Sequence, residues 1–186
     1  VTLPKSLKAL ETSVFNNYLM EVIIPEGLTS LPYEAFSSHS KLQKVTLPNT
    51  LRTIGGSAFK DCGSLQDILM PAVQYIGSGA FEDCVMLTSI ILPETLEKIE
   101  DSAFRGAGLT EIAIPANVYS IGSYAFAGSP NHWNFGHCDD YRYYTTSASN
   151  DDRWFGDYSR SYGVLTKIFI PANSRIKKIP SGTFSH

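Results

Sequence analysis

Apolar residues fall along this chain in one short phrase that returns again and again. Leu19, Val22, Ile24 and Pro25 are followed by Leu42, Val45, Leu47 and Pro48, then by Leu65, Ile68, Met70 and Pro71. The series continues through Leu87, Ile90, Leu92, Pro93, through Leu109, Ile112, Ile114, Pro115, and ends on Leu165, Ile168, Ile170, Pro171. A second apolar pair follows the proline, such as Leu51 and Ile54, Leu96 and Ile99, or Val118 and Ile121. An Ala-Phe pair closes the phrase: Ala58-Phe59, Ala80-Phe81, Ala103-Phe104, Ala125-Phe126. Two markers keep the same period of 21 to 23 residues, Pro4, Pro25, Pro48, Pro71, Pro93 and Pro115 on one side and Phe15, Phe36, Phe59, Phe81, Phe104 and Phe126 on the other. Pro171 and Phe184 resume the pattern after a gap. A fixed period of this length is the signature of a repeat architecture.

Each feature of the phrase has a physical role. The end of the Leu-x-x-Ile-x-Ile stretch alternates apolar and variable positions, which predicts a strand with one buried face. Proline cannot donate a ladder hydrogen bond and ends the strand. Gly55, Gly77 and Gly122 stand directly after the second apolar pair, where the chain must turn sharply. Ser57-Ala58-Phe59 and its equivalents read as a single short helical turn whose ring plugs the core. One coil cannot bury its own apolar face, so neighbours must stack. The expected fold is a repeat solenoid of about seven coils of 22–23 residues. It is a right-handed coil with a parallel sheet on one face, ~34 Å wide at ~4.8 Å per strand, and short turns or single helical turns on the other. Residues 1–186 form one solenoid domain in this reading.

The consensus L-x-x-I-x-I-P-x-x-L-x-x-I-x-x-x-A-F-x-x-C resembles the BspA-like class of leucine-rich repeats over nearly the whole chain. It departs from animal-type repeats, because the asparagine of their ladder is missing and proline stands near its place. The resemblance implies a bacterial or protist protein, extracellular or at the cell surface, often an adhesin that binds host or matrix proteins.

Composition then narrows the classes. With 43% hydrophobic and 18% charged residues the chain is an ordinary globular one, neither disordered nor membrane-spanning. The formal charge of −3 comes without a basic run, which argues against nucleic acid as a partner. Three cysteines, Cys62, Cys84 and Cys138, cannot all pair, so this is not a disulfide scaffold. Cys62 and Cys84 share one repeat slot with Tyr18, His39, Ala107 and Ser129 and read as buried free thiols. No nucleophile elbow, P-loop, dinucleotide fingerprint or zincin motif is present. Catalysis is not expected, nor a cofactor. The chain opens inside a strand and stops just after Phe184 without polar caps, which reads as a piece of a longer stack.

Two regions are candidates for binding. The first is an insertion in the sixth repeat, residues 128–163, between the Ala-Phe turn and the next strand. It holds Trp133, Phe135, Tyr141, Tyr143, Tyr144, Trp154, Phe155, Tyr158 and Tyr162. These rings either pack the insertion onto the coils or form a platform for protein or sugar. Its His132, His137, Cys138, Asp139 and Asp140 fit no zinc or calcium spacing and read as a polar loop, so no metal site is expected. The second region is the outward side of the sheet. Glu21, Lys44, Asp67, Ser89, Glu111 and Lys167 make one column, and Ile23, Thr46, Leu69, Ile91, Ala113 and Phe169 the next. An exposed apolar stripe suggests a partner, although strand propensity alone also favours such residues. The function expected is a non-enzymatic recognition module for protein, with a glycan or a spacer role as the alternatives.

Overall fold

The computed structural model describes residues 3–4, 6–11, 15, 18–128 and 165–185, together with the backbone of 153–155. It is a stack of short coils in which each phrase of the sequence makes one turn. The first side of the coil carries β1 (Glu21–Ile23), β3 (Lys44–Thr46), β5 (Asp67–Leu69), β8 (Glu111–Ala113) and β11 (Lys167–Ile170). β1, β3 and β5 pair in parallel with Val22, Val45 and Ile68 in register, and β8 pairs with β11 through Ile112 and Ile168. All five of these central residues are buried, so the alternation in the sequence translates directly into an inner and an outer face.

The sheet is not continuous. Ser89–Ile91, the fourth coil's equivalent of a strand, is not part of a ladder, which leaves β1-β3-β5 on one side and β8-β11 on the other. The coil that follows is one residue shorter, counted from Phe104 to Pro115 against Phe81 to Pro93. Its Gly108 is drawn tight against the fourth coil: a side chain there would meet the Val85 carbonyl oxygen at 2.2 Å. A further strand, β10 (Arg153–Phe155), runs antiparallel to the outer edge of β11, Trp154 opposite Phe169.

A second parallel ladder, which periodicity does not announce, follows the prolines. β2 (Ser30–Leu31), β4 (Thr53–Ile54), β6 (Tyr75–Ile76), β7 (Lys98–Ile99) and β9 (Ser120–Ile121) form one uninterrupted sheet. It bridges the fourth coil, since β6 pairs with β7 and β7 with β9. The glycines at the next corner are required by closeness to the preceding coil. A Cβ on Gly77 would lie 2.6 Å from the Gly56 nitrogen, and one on Gly122 2.3 Å from the Asp101 nitrogen.

The Ala-Phe segments are turns, and no helix occurs among the described residues. Two left-handed positions break up what the sequence suggests as a helical turn. One lies two residues before the phenylalanine: Glu34, Ser57, Gly79, Ser102, Tyr124 and Gly182 have φ between 53° and 74°. The other lies two residues after it, at Ser38, Asp61, Asp83 and Gly106. The alternation turns every second N–H along the stack, while the intervening ones bond back within the turn, as Ala58 N–H does to Gly55 O. Phe36 N–H thus donates to Ala58 O at 2.7 Å, Phe59 N–H to Ala80 O at 2.8 Å, and Phe81 N–H to Ala103 O at 2.7 Å. This third side is therefore also laced coil to coil, by turns rather than strands.

Inside, seven phenylalanine rings stack from Phe15 through Phe36, Phe59, Phe81, Phe104 and Phe126 to Phe184. Their centroids are 5.0 to 5.6 Å apart and their planes within 12° of parallel. The column confirms the stacking of the coils and runs unbroken past the gap in the first sheet. Burial of these rings with the leucines and isoleucines of the phrase is the main source of stability.

Candidate functional site

The outward residues of the first side form the columns expected from the sequence. Glu21, Lys44 and Asp67 are aligned by the β1-β3-β5 register, and Glu111 with Lys167 by β8-β11. Neighbouring coils pair these charges: Lys44 Nζ lies 3.4 Å from Asp67 Oδ2, and Lys167 Nζ 4.0 Å from Glu111 Oε2. All four side chains are more than half exposed, so each pair contributes ~1 kcal/mol at most. The consequence is that the charges offset each other locally. In the middle of the column the fourth coil contributes the uncharged Ser89.

The adjacent column is apolar and most prominent at its middle. Ile91 is 88% exposed and Leu69 58%, more than Ile23, while Thr46 and Phe169 are partly buried and Ala113 is exposed. Leu69 lies on the last strand before the interruption of the backbone ladder and Ile91 within it. A third column, on the other side of the charges from the apolar one, consists of Met20, Gln43, Gln66, Thr88, Thr110 and Thr166 and is uncharged throughout. The face as a whole is a neutralised charge stripe beside an apolar ridge, carried on a parallel sheet.

The turn side has a different character. Glu82 sits between two cations of the neighbouring coils, with Lys60 Nζ at 2.8 Å from Oε2 and Arg105 Nη1 at 3.2 Å from Oε1. The hydrogen bond to Glu82 raises the pKa of Lys60. This is a three-membered clamp across three coils that sequence reasoning missed, because its members are 22 and 23 residues apart.

The repeat slot of the cysteines is buried. Cys62 and Cys84 are free thiols, and each Sγ–H donates across the coil boundary, to Phe36 O at 3.0 Å and Phe59 O at 3.1 Å. Desolvation pushes the Cys62 thiol up to about 12 and the Cys84 thiol well above its ordinary value, so neither is nucleophilic at neutral pH. His39 fills the same slot edge-on to Phe36, Nδ1 3.1 Å from Ser37 O. Tyr18, in contrast, stands out into solvent under the Lys41 ammonium, 4.6 Å from its ring centre. Among the described residues no group of His, Cys, Asp or Glu is placed to hold a metal ion, and no helix is long and apolar enough to cross a membrane.

The insertion aromatics Trp133, Phe135, Tyr141, Tyr143, Tyr144, Tyr158 and Tyr162, like the His132–Asp140 cluster and Cys138, lie outside the described residues. Trp154 and Phe155 are placed by backbone alone, in β10.

Known proteins share this arrangement. Residues 8–133 match the BspA type leucine rich repeat region in six copies, and the chain belongs to that family. Among solved structures it is similar to a leucine-rich repeat protein from Bacteroides ovatus ATCC 8483, 38% identical over 61% of this chain and 32% of that one, with a TM-score of 0.56. A leucine rich repeat protein of T. pallidum is 33% identical over 57% of this chain and 53% of that one, TM-score 0.56. A leucine rich cell surface protein from Faecalibacterium prausnitzii A2-165 is 28% identical over 68% of this chain and 44% of that one, TM-score 0.50. The chain spans from about a third to about half the length of these proteins. No curated protein matches it.

Proposed function

We propose that this chain is a non-enzymatic recognition module of a cell-surface or secreted protein, and that it binds protein partners through the outward face of the first sheet. The observation that carries this reading is the pair of columns at the sheet, with charges offset between coils and an apolar ridge exposed at Leu69 and Ile91. A contiguous apolar ridge rimmed by polar residues is the usual form of a protein contact. The family is generally non-enzymatic, and one similar structure is that of a cell surface protein; both support the reading. The contact residues are then Ile23, Lys44, Thr46, Leu69, Ile91, Glu111 and Phe169. Trp133, Phe135, Tyr141, Tyr143, Tyr144, Trp154 and Phe155 of the insertion, residues 128–163, offer a second surface.

The test is binding of the whole chain to purified matrix proteins (fibronectin, laminin, collagen) and to a glycan array. Leu69→Asp with Ile91→Asp is expected to lower matrix-protein binding by at least about tenfold while the fold is kept, since an apolar centre carries most of the energy of such contacts. Loss on Trp133→Ala with Trp154→Ala alone would move the site to the insertion. Glycan binding without protein binding would replace the reading by a carbohydrate-binding one.

A further inference from the structure

The charge column of the sheet has an order that one ion pair at a time does not reveal. Along the stack it reads Glu21 negative, Lys44 positive, Asp67 negative, Ser89 neutral, Glu111 negative, Lys167 positive. Reversed and laid on itself, the column meets no like charge. Glu21 faces Lys167, Lys44 faces Glu111, and Asp67 faces Ser89. The same reversal brings the two most exposed apolar residues of the neighbouring column together, Leu69 against Ile91 and Ile91 against Leu69.

We propose that a second copy of this chain docks on the sheet face, about a two-fold axis parallel to the strands and centred between the third and fourth coils. This rests on the reading of the sheet as the binding face and names its occupant. The geometry selects the arrangement. A two-fold along the strands flips the face and reverses coil order, yet keeps each column opposite itself; the interface is isologous, as in most homodimers. A two-fold along the stack would set the charges on the apolar ridge.

Register is fixed as well. A slip of one coil puts Glu21 against Glu111 and Asp67 against its own mate, and a slip the other way puts Lys44 against Lys167 and Asp67 against Glu111. Like charges so juxtaposed reject the alternative registers. The uncharged third column, from Met20 to Thr166, meets only neutral groups in the reversed order. At ~4.8 Å per coil and ~3.3 Å per residue the face measures ~29 Å by ~13 Å. That is below the area of a standard stable interface, so the dimer is weak and salt-sensitive.

Sedimentation equilibrium of the whole chain, from ~5 to ~500 µM at low and at high salt, reads the outcome. The wild type is expected to dimerise with concentration and less so in high salt. Lys44→Glu and Glu111→Lys each are expected to weaken association by about tenfold or more, and the double variant to return to within about threefold of wild type. Read at physiological salt, the rescue cannot arise within one chain, because Lys44 and Glu111 stand three coils apart, beyond a Debye length there. Circular dichroism melts check that all variants fold. A wild type that stays monomeric, or a double variant as weak as the singles, overturns the dimer. A monomer that still loses matrix-protein binding on Leu69→Asp with Ile91→Asp overturns the dimer and leaves the proposed function standing.

Discussion

Phe81 lies between the rings of Phe59 and Phe104, at 5.3 and 5.0 Å, whereas Phe184 has the Phe126 ring on one side and is only partly buried. Phe81→Ala is expected to cost ~3–5 kcal/mol in urea denaturation, and Phe184→Ala less than half of that. Equal losses would mean that the ring column is not what ties coil to coil. The cysteine slot makes a second expectation at this scale. A buried thiol whose pKa rises from 9.0 to about 12 on folding contributes fully below pH 9, where folded and unfolded chains both keep the proton. Above that the unfolded chain releases its proton first, and stability falls as the pH climbs toward 12. The urea midpoint of the wild type is therefore expected to decline above pH 9 more steeply than that of Cys62→Ala. Parallel pH profiles would remove the thiol as the cause.

The elements of the coil differ in how plainly they are written in the sequence. The first sheet is legible, because Glu21-Val22-Ile23 and its counterparts alternate outward and inward around one buried residue. The second ladder is not, since strands such as Thr53–Ile54 and Lys98–Ile99 are two residues long and offer no alternation to read. The turns mislead for a different reason. Four of the six left-handed positions before the phenylalanine hold Glu34, Ser57, Ser102 and Tyr124, against glycine at Gly79 and Gly182, so the usual sign of a positive φ is missing from most coils and Ser-Ala-Phe suggests a helical turn. Ser102→Gly removes the steric penalty that a Cβ meets at φ 56° and is expected to raise stability by ~0.5–1 kcal/mol. A loss on thermal or urea denaturation would show that the Cβ is needed there. Of the candidate site, the sheet columns were legible from the register of the repeat. The Lys60–Glu82–Arg105 clamp was hidden because its members meet only once the coils are stacked.

At the scale of the molecule, a solenoid is held by nearest-neighbour contacts, so a weak boundary could divide it into two independently melting blocks. The interruption at Ser89–Ile91 is such a place on one side only. The second ladder and the ring column cross it, with Tyr75 opposite Lys98 and Phe81 stacked on Phe104. One cooperative unfolding transition is therefore expected, with fast amide exchange confined to Ser89–Ile91 against slow exchange in Asp67–Leu69 and Glu111–Ala113. Two transitions would show that the boundary does divide the stack. The ring column has one more consequence, for the length of the stack. Each inner ring meets the ring of the coil before and of the coil after, so cutting out one whole repeat brings together two surfaces of the same kind, whereas cutting out part of one leaves a ring without its partner.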